Sequence, residues 1–129
     1  MIDTSTLATP SAEAIHFLSS EEFGKLDRNR RGLTIREIDS PIRSQTELFA
    51  ALAKALRFPD YFGSNWDAVD ECFRDLKADA GDGIVLVLRH ADTLFRSDPR
   101  SAGSLIEAWL HSADEWRAMN VGFHLVFVW

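Results

Sequence analysis

Two stretches of the chain are apolar without alternation: Ile84-Val-Leu-Val-Leu88 and Phe123-His-Leu-Val-Phe-Val-Trp129. Short continuous runs of branched and aromatic residues suit strands covered on both faces, as in parallel sheets. Leu33-Thr-Ile-Arg-Glu-Ile38 alternates more and predicts a partly exposed strand. Between these runs the spacing becomes helical. Ser44-x-x-Glu47 opens a helix carrying Leu48, Phe49, Leu52 and Leu56, and Ser104-x-x-Glu107 opens one carrying Leu105, Trp109, Ala113 and Trp116. A third helical pattern follows Ser64, with Val69, Phe73 and Leu76 on one stripe and Trp66 at its border. Strands alternating with helices predict a layered α/β fold joined by right-handed crossovers.

The first 31 residues carry weaker patterns. Residues 1–12 are polar at the start and are expected to fray. Ile15-His-Phe-Leu18 predicts a short strand added at a sheet edge, and Ser20 to Arg30 a short helix capped by Ser19 or Ser20. Arg28, Arg30 and Arg31 would sit near the negative end of that helix. Residues 13–129 are read as one domain, with 13–31 an N-terminal extension.

Composition narrows the class. A chain of 129 residues with 46% apolar content is large enough to bury a core without staples. Its one cysteine, Cys72, cannot form an internal disulfide, which fits a reducing cytoplasm. Cys72 lies beside the apolar stripe of its helix and reads as a small core residue. The start of the chain lacks a basic, apolar leader pattern, and no run approaches bilayer length, so a cytoplasmic location is expected. The four histidines (His16, His90, His111, His124) are dispersed without metal-ligand spacing, so no metal or other cofactor is expected. Ala80-Gly-Asp-Gly83 is a turn and not a phosphate loop, and there is no Gly-x-Ser-x-Gly elbow. A formal net charge of −6 argues against direct nucleic-acid binding.

The charge is unevenly distributed. Seven acids (Asp60, Asp67, Asp70, Glu71, Asp75, Asp79, Asp82) lie between positions 60 and 82 against two bases, Arg74 and Lys77. That segment therefore accounts for most of the net negative charge, which suggests a surface meant for something positive. At about 100° per residue, Asp67, Asp70 and Glu71 fall opposite the apolar stripe. Asp67 and Glu71 are an i,i+4 like-charge pair, which weakens an isolated helix. The plain alternative is a solvated helix face with Asp67 closing a Ser64-x-x-Asp67 capping box. The preceding loop favours the binding surface. Pro59 stiffens it, Gly63 is expected to take a left-handed conformation, and Ser64 to cap the helix. Tyr61 and Phe62 are adjacent aromatics on this loop. Phe62 is expected to plug the core and Tyr61 to meet solvent beside the carboxylates, as a binding hot spot does.

The run Phe58-Pro59-x-Tyr61-Phe62-Gly63-x-Asn65-x-Asp67-Ala68, followed by Cys72, resembles the hallmark of barstar-type ribonuclease inhibitors, and the resemblance extends from about Leu33 to Trp129. It implies a small three-layer α/β fold, with a short, mainly parallel sheet flanked by helices, to which this chain adds its N-terminal segment. It also implies an intracellular, monomeric inhibitor, not an enzyme, that seats this loop and helix in the active site of a basic secreted ribonuclease. Tyr61, Gly63, Asn65, Trp66, Asp67 and Glu71 match family contact positions, and Asp70 joins them as an added charge. Three positions differ from the founding inhibitor: Asp70 replaces a Trp, Glu71 replaces the key Asp, and His111 aligns near a further acid. Two other readings remain open. One is an immunity protein for a different basic toxin such as a deoxyribonuclease. The other is an enzyme using Asp67, Asp70, Glu71 and His111 as acid, base or Mg²⁺ ligands.

Overall fold

The computed structural model describes residues 4–7, 9–11, 13–27, 32–60, 62–76 and 81–129. Its elements run α1 (Thr4–Leu7), β1 (Ile15–Leu18), α2 (Ser20–Gly24), β2 (Leu33–Ile38), α3 (Gln45–Ala55), α4 (Trp66–Asp75), β3 (Gly83–Leu88), α5 (Ala91–Ser97), α6 (Pro99–Ala118) and β4 (Gly122–Val128). The four strands form one sheet in the order β1-β4-β3-β2, and every pairing is parallel. The two central strands are the unbroken apolar runs, buried along their whole length. The edge strand β2 is only partly covered, as its alternation predicts.

Alternate residues of the central strands point to opposite faces, and each face has its own cover. Ile84, Leu86, Leu88, Phe123, Leu125 and Phe127 pack with Leu48, Leu52, Val69, Phe73, Leu105 and Trp109 from the longer helices. Trp109 stacks on Phe123 at 3.9 Å and donates its indole N–H to the Phe123 carbonyl at 3.2 Å. Val85, Val87, Val126 and Val128 instead meet Leu7, Leu18, Phe23 and Leu26. The N-terminal segment thus supplies the third layer as well as an edge strand.

Described residues of that segment make contacts that its composition does not suggest. Within the stretch expected to fray, Leu7 is fully buried, and the Thr9 carbonyl lies 2.8 Å from Nε2 of the buried His124. His124 Nδ1 in turn lies 2.8 Å from His16 Nε2 on β1. An apolar anchor and a buried polar contact outweigh the local polarity. The helix expected over 20–30 ends at Gly24, after a capping box in which Ser19 Oγ accepts from the Glu22 N–H and Glu22 Oε1 accepts from the Ser19 N–H. Arg28, Arg30 and Arg31 lie outside the described residues.

Two further boundaries depart from expectation. The last helix begins at Pro99, before Ser104, because Asp98 caps it by accepting from the Ser101 N–H at 3.1 Å while Pro99 takes the first turn. Helix α5 has no sequence start signal, since His90 enters it with a φ of 56° and makes no side-chain cap. Among the described residues, no helix is long and apolar enough to cross a membrane.

Candidate functional site

The site predicted from the sequence lies where the loop after α3 turns into α4. The loop is braced by backbone bonds from Phe58 N–H to the Ala53 carbonyl and from Phe62 N–H to the Pro59 carbonyl. Phe62 packs edge-on against Phe58 and Phe49, with centroids 5.0 and 6.0 Å away, and so plugs the end of the core as expected. Tyr61 lies outside the described residues.

The entry into α4 is displaced by one residue from the predicted one. Gly63 is not in the left-handed region; Ser64 is, with a φ of 51°. Asn65 is the cap, and its Oδ1 accepts the Ala68 N–H at 2.8 Å. The reason lies in the Asn side chain, which has an acceptor and a donor. While Oδ1 caps the helix, Nδ2 donates to the Gly63 carbonyl at 3.3 Å, so one residue secures both the loop and the first turn. Asn65 also has the extended backbone of a cap residue, whereas Ser64 is left-handed.

Trp66 opens the helix half-buried. Its ring meets Phe49 edge-on at 4.9 Å, and its Nε1–H donates to Gln45 Oε1 at 3.0 Å. Asp67 and Glu71 are exposed and point away from the stripe formed by Val69, Cys72 and Phe73. Asp67 also sits in the first turn, where the partial positive charge of the helix end favours a carboxylate. Asp70 behaves differently. It is half-buried between α4 and α6, 3.5 Å from both Arg74 Nη2 and Ser112 Oγ, so part of its field is already engaged inside the molecule.

Two open grooves flank Trp66. One, of about 390 Å³, is lined by Asn65, Trp66, Asp67, Ala68 and Glu71. The other, of about 410 Å³, runs between α4 and α6 and includes Trp66, Asp67, Asp70, Glu107 and His111. The fold therefore brings together six of the predicted site residues: Gly63 and Asn65 in the loop bond, Trp66, Asp67 and Glu71 in the first groove, and Asp70 in the second. It adds Glu107, which the sequence pattern assigns to a capping box. With the helix starting at Pro99, Glu107 is free of that duty and lies one turn before His111 on the same side. Their i,i+4 spacing is the signal that could have found it. His111 itself is exposed, 3.8 Å from Glu115.

Chemically, this face can accept hydrogen bonds and attract cations. Among the described residues, no group of three or more His, Cys, Asp or Glu side chains is close enough to hold a metal ion. Cys72 lies beneath the face, and burial first, then Asp75 and Glu71, push its thiol above the ordinary range. It is protonated at neutral pH and poorly suited to attack as a nucleophile.

Fold and site together define a small three-layer α/β domain with an all-parallel sheet and carboxylates displayed on an open helix face. The chain belongs to the barstar family: the family model described as Barstar (barnase inhibitor) matches residues 33–128, from β2 to β4. Proteins of this family are inhibitors with a nuclease partner. A search of curated proteins gives no match. The family match excludes α1, β1 and α2, so the third layer belongs to this chain's own N-terminal segment.

Proposed function

We propose that this chain is a cytoplasmic, monomeric inhibitor of a basic ribonuclease, and that the loop before α4 and the exposed face of α4 block the active site by imitating RNA phosphates. The observation that carries this reading is the pair of grooves beside Trp66, which gather Asp67, Asp70, Glu71 and Glu107 on one open face of a barstar-family scaffold. A ribonuclease cleft lined with Arg and Lys attracts polyanions. Asp67 and Glu71 would take its phosphate-binding positions through charge-assisted hydrogen bonds. Tyr61 would pack beside them and exclude water, while Asn65 and the Gly63 backbone hold the loop in register. Asp70 and Glu107 would add field and speed association. Complementary charge of this kind acts on the association rate and on the choice of partner more than on raw affinity.

The extra methylene of Glu71 keeps the charge and extends its reach, which favours a partner whose cation lies deeper or further to the side. The test is inhibition of RNA cleavage by a panel of small basic ribonucleases, with an Asp67→Ala/Glu71→Ala double variant as control. Inhibition by the natural sequence and not by the variant would establish function and face together. A folded protein that inhibits no ribonuclease but protects DNA from a basic deoxyribonuclease would replace the ribonuclease with that toxin.

A further inference from the structure

Three helices begin close together beside the proposed binding face, and Gln45 lies where they meet. Gln45 is the first residue of α3. Asp98, the cap of α6, lies beside this start of α3. The side-chain Oε1 of Gln45 accepts the indole N–H of Trp66, the first residue of α4, at 3.0 Å. Ser101, on the first turn of α6, completes the cluster. Its hydroxyl lies 2.7 Å from Asp98 Oδ2 and 3.5 Å from Gln45 Oε1. A hydroxyl has one proton to give, and the short contact to a carboxylate takes it. The indole of Trp66 is therefore the one strong donor to Gln45 Oε1 in this cluster.

This geometry constrains Trp66 twice. Phe49 packs edge-on against its ring, and the exposed Gln45 fixes which way its N–H edge faces. Trp66 forms a wall of both grooves, with Asn65, Asp67 and Glu71 on one side and Asp70, Glu107 and His111 on the other. An indole turned over about its side-chain bonds would move its bulk into one groove and open the other. The direction of this ring therefore sets the shape that a partner meets.

We infer that Gln45 is a positioning residue of the binding face: without touching the partner, it fixes the orientation of Trp66, the shared wall of the two acidic grooves. The binding consequence rests on the proposed function, whereas the orientation itself does not. Gln45→Met keeps the length and bulk of the side chain and removes its acceptor. In the free protein, hydrogen exchange of the Trp66 indole proton, followed by NMR, is expected to quicken by about five- to tenfold in Gln45→Met, the factor associated with one neutral hydrogen bond. The spectrum of the backbone amides outside this cluster should stay the same. Against an inhibited ribonuclease, Gln45→Met should raise the dissociation rate by a similar factor. In a Trp66→Phe background, which has no indole N–H, the same change should have almost no effect, because the two substitutions remove one interaction. Unchanged indole exchange would overturn the inference whether or not a partner is found. An equal effect of Gln45→Met in both backgrounds would show that Gln45 acts through general stability and not through Trp66. If indole exchange quickens and no ribonuclease binds, the orientation holds and the proposed partner fails.

Discussion

Acidification should loosen this protein through a pair of histidines far from its carboxylate face. His124 is fully buried between the Thr9 carbonyl and His16, at 2.8 Å from each. In the neutral pair, His124 Nε2–H donates to Thr9 while its Nδ1 accepts from His16 Nε2–H. Burial first, and then the neighbouring His124, lower the pKa of His16 from 6.5 to about 4. Burial also lowers that of His124, partly opposed by its bond to Thr9. The unfolded chain therefore takes up protons near pH 6.5 while the folded chain resists until about pH 4. The stabilisation from this pair is full above 6.5, falls as the pH drops through that window, and levels off below it.

At about 1.4 kcal/mol per pH unit, the His16 displacement alone has an upper bound of about 3 kcal/mol. His16 is only half-buried on an edge strand, so solvent screening reduces this to about 1–2 kcal/mol. Thermal melting followed by circular dichroism at pH 7, 6 and 5 should show a fall in Tm of about 4 °C for each kcal/mol lost. His16→Gln keeps an N–H for His124 and cannot titrate, so its melting temperature should fall less steeply over the same range. The depressed carboxyls of Glu22 and Asp98 do not confuse the comparison. Hydrogen bonds from Ser19 and Ser101 hold them below their ordinary values of 4.5 and 3.8, so their stabilisation is lost only at lower pH. Identical slopes in the natural protein and in His16→Gln would refute the reasoning.

Three pairs of substitutions test particular contacts. Asn65→Ala should cost about 1 kcal/mol by removing the α4 cap, whereas Ser64→Gly should raise the melting temperature by relieving a left-handed residue. Glu107→Gln should slow association with the inhibited ribonuclease by about two- to fivefold in stopped-flow mixing at low salt, and by less at high salt. Glu21→Gln, on the exposed surface of α2, should leave that rate unchanged. Gly83→Ala would place a methyl 2.9 Å from the Gly122 carbonyl between two central strands and should cost about 1–3 kcal/mol in urea denaturation. Gly103→Ala, on α6 with open space around it, should instead stabilise by about 0.5–1 kcal/mol.

The central strands are legible because burial on both faces leaves an unbroken apolar run, a pattern that few other short elements produce. Helix α3 is legible from Ser44, whose hydroxyl accepts the Glu47 N–H at 3.1 Å. The start of helix α6 is misleading because Ser104 and Glu107 imitate a capping box, while the true signal, Asp98 followed by Pro99, lies upstream. The same imitation hides Glu107 from the site. Helix α5 is illegible for a different reason: a left-handed His90 starts it by backbone geometry alone. At the candidate site, helical periodicity places Asp67 and Glu71 correctly on an exposed face. The i,i+4 pairing of Asp70 with Arg74 is legible too, but periodicity cannot show that Asp70 turns towards α6, since Ser112 meets it only in three dimensions. The docking of Leu7, Leu18, Phe23 and Leu26 is hardest to foresee, because Thr9 and His124 meet across almost the whole sequence.

The order of the sheet has a kinetic consequence. Among the described residues, strand β1 pairs only with β4, so Ile15 must wait for Leu125. Contacts between such distant parts of a chain incur a large loop-closure entropy before they give any return, and they slow folding. Until β4 is laid down, β3 lacks one neighbour and Val85 and Val87 lack the N-terminal cover. A chain without β4 in place would have a bare strand edge and an apolar face, the features by which partly folded chains associate. Strand β4 is therefore the keystone of assembly: its arrival seals the sheet and lets the N-terminal layer dock.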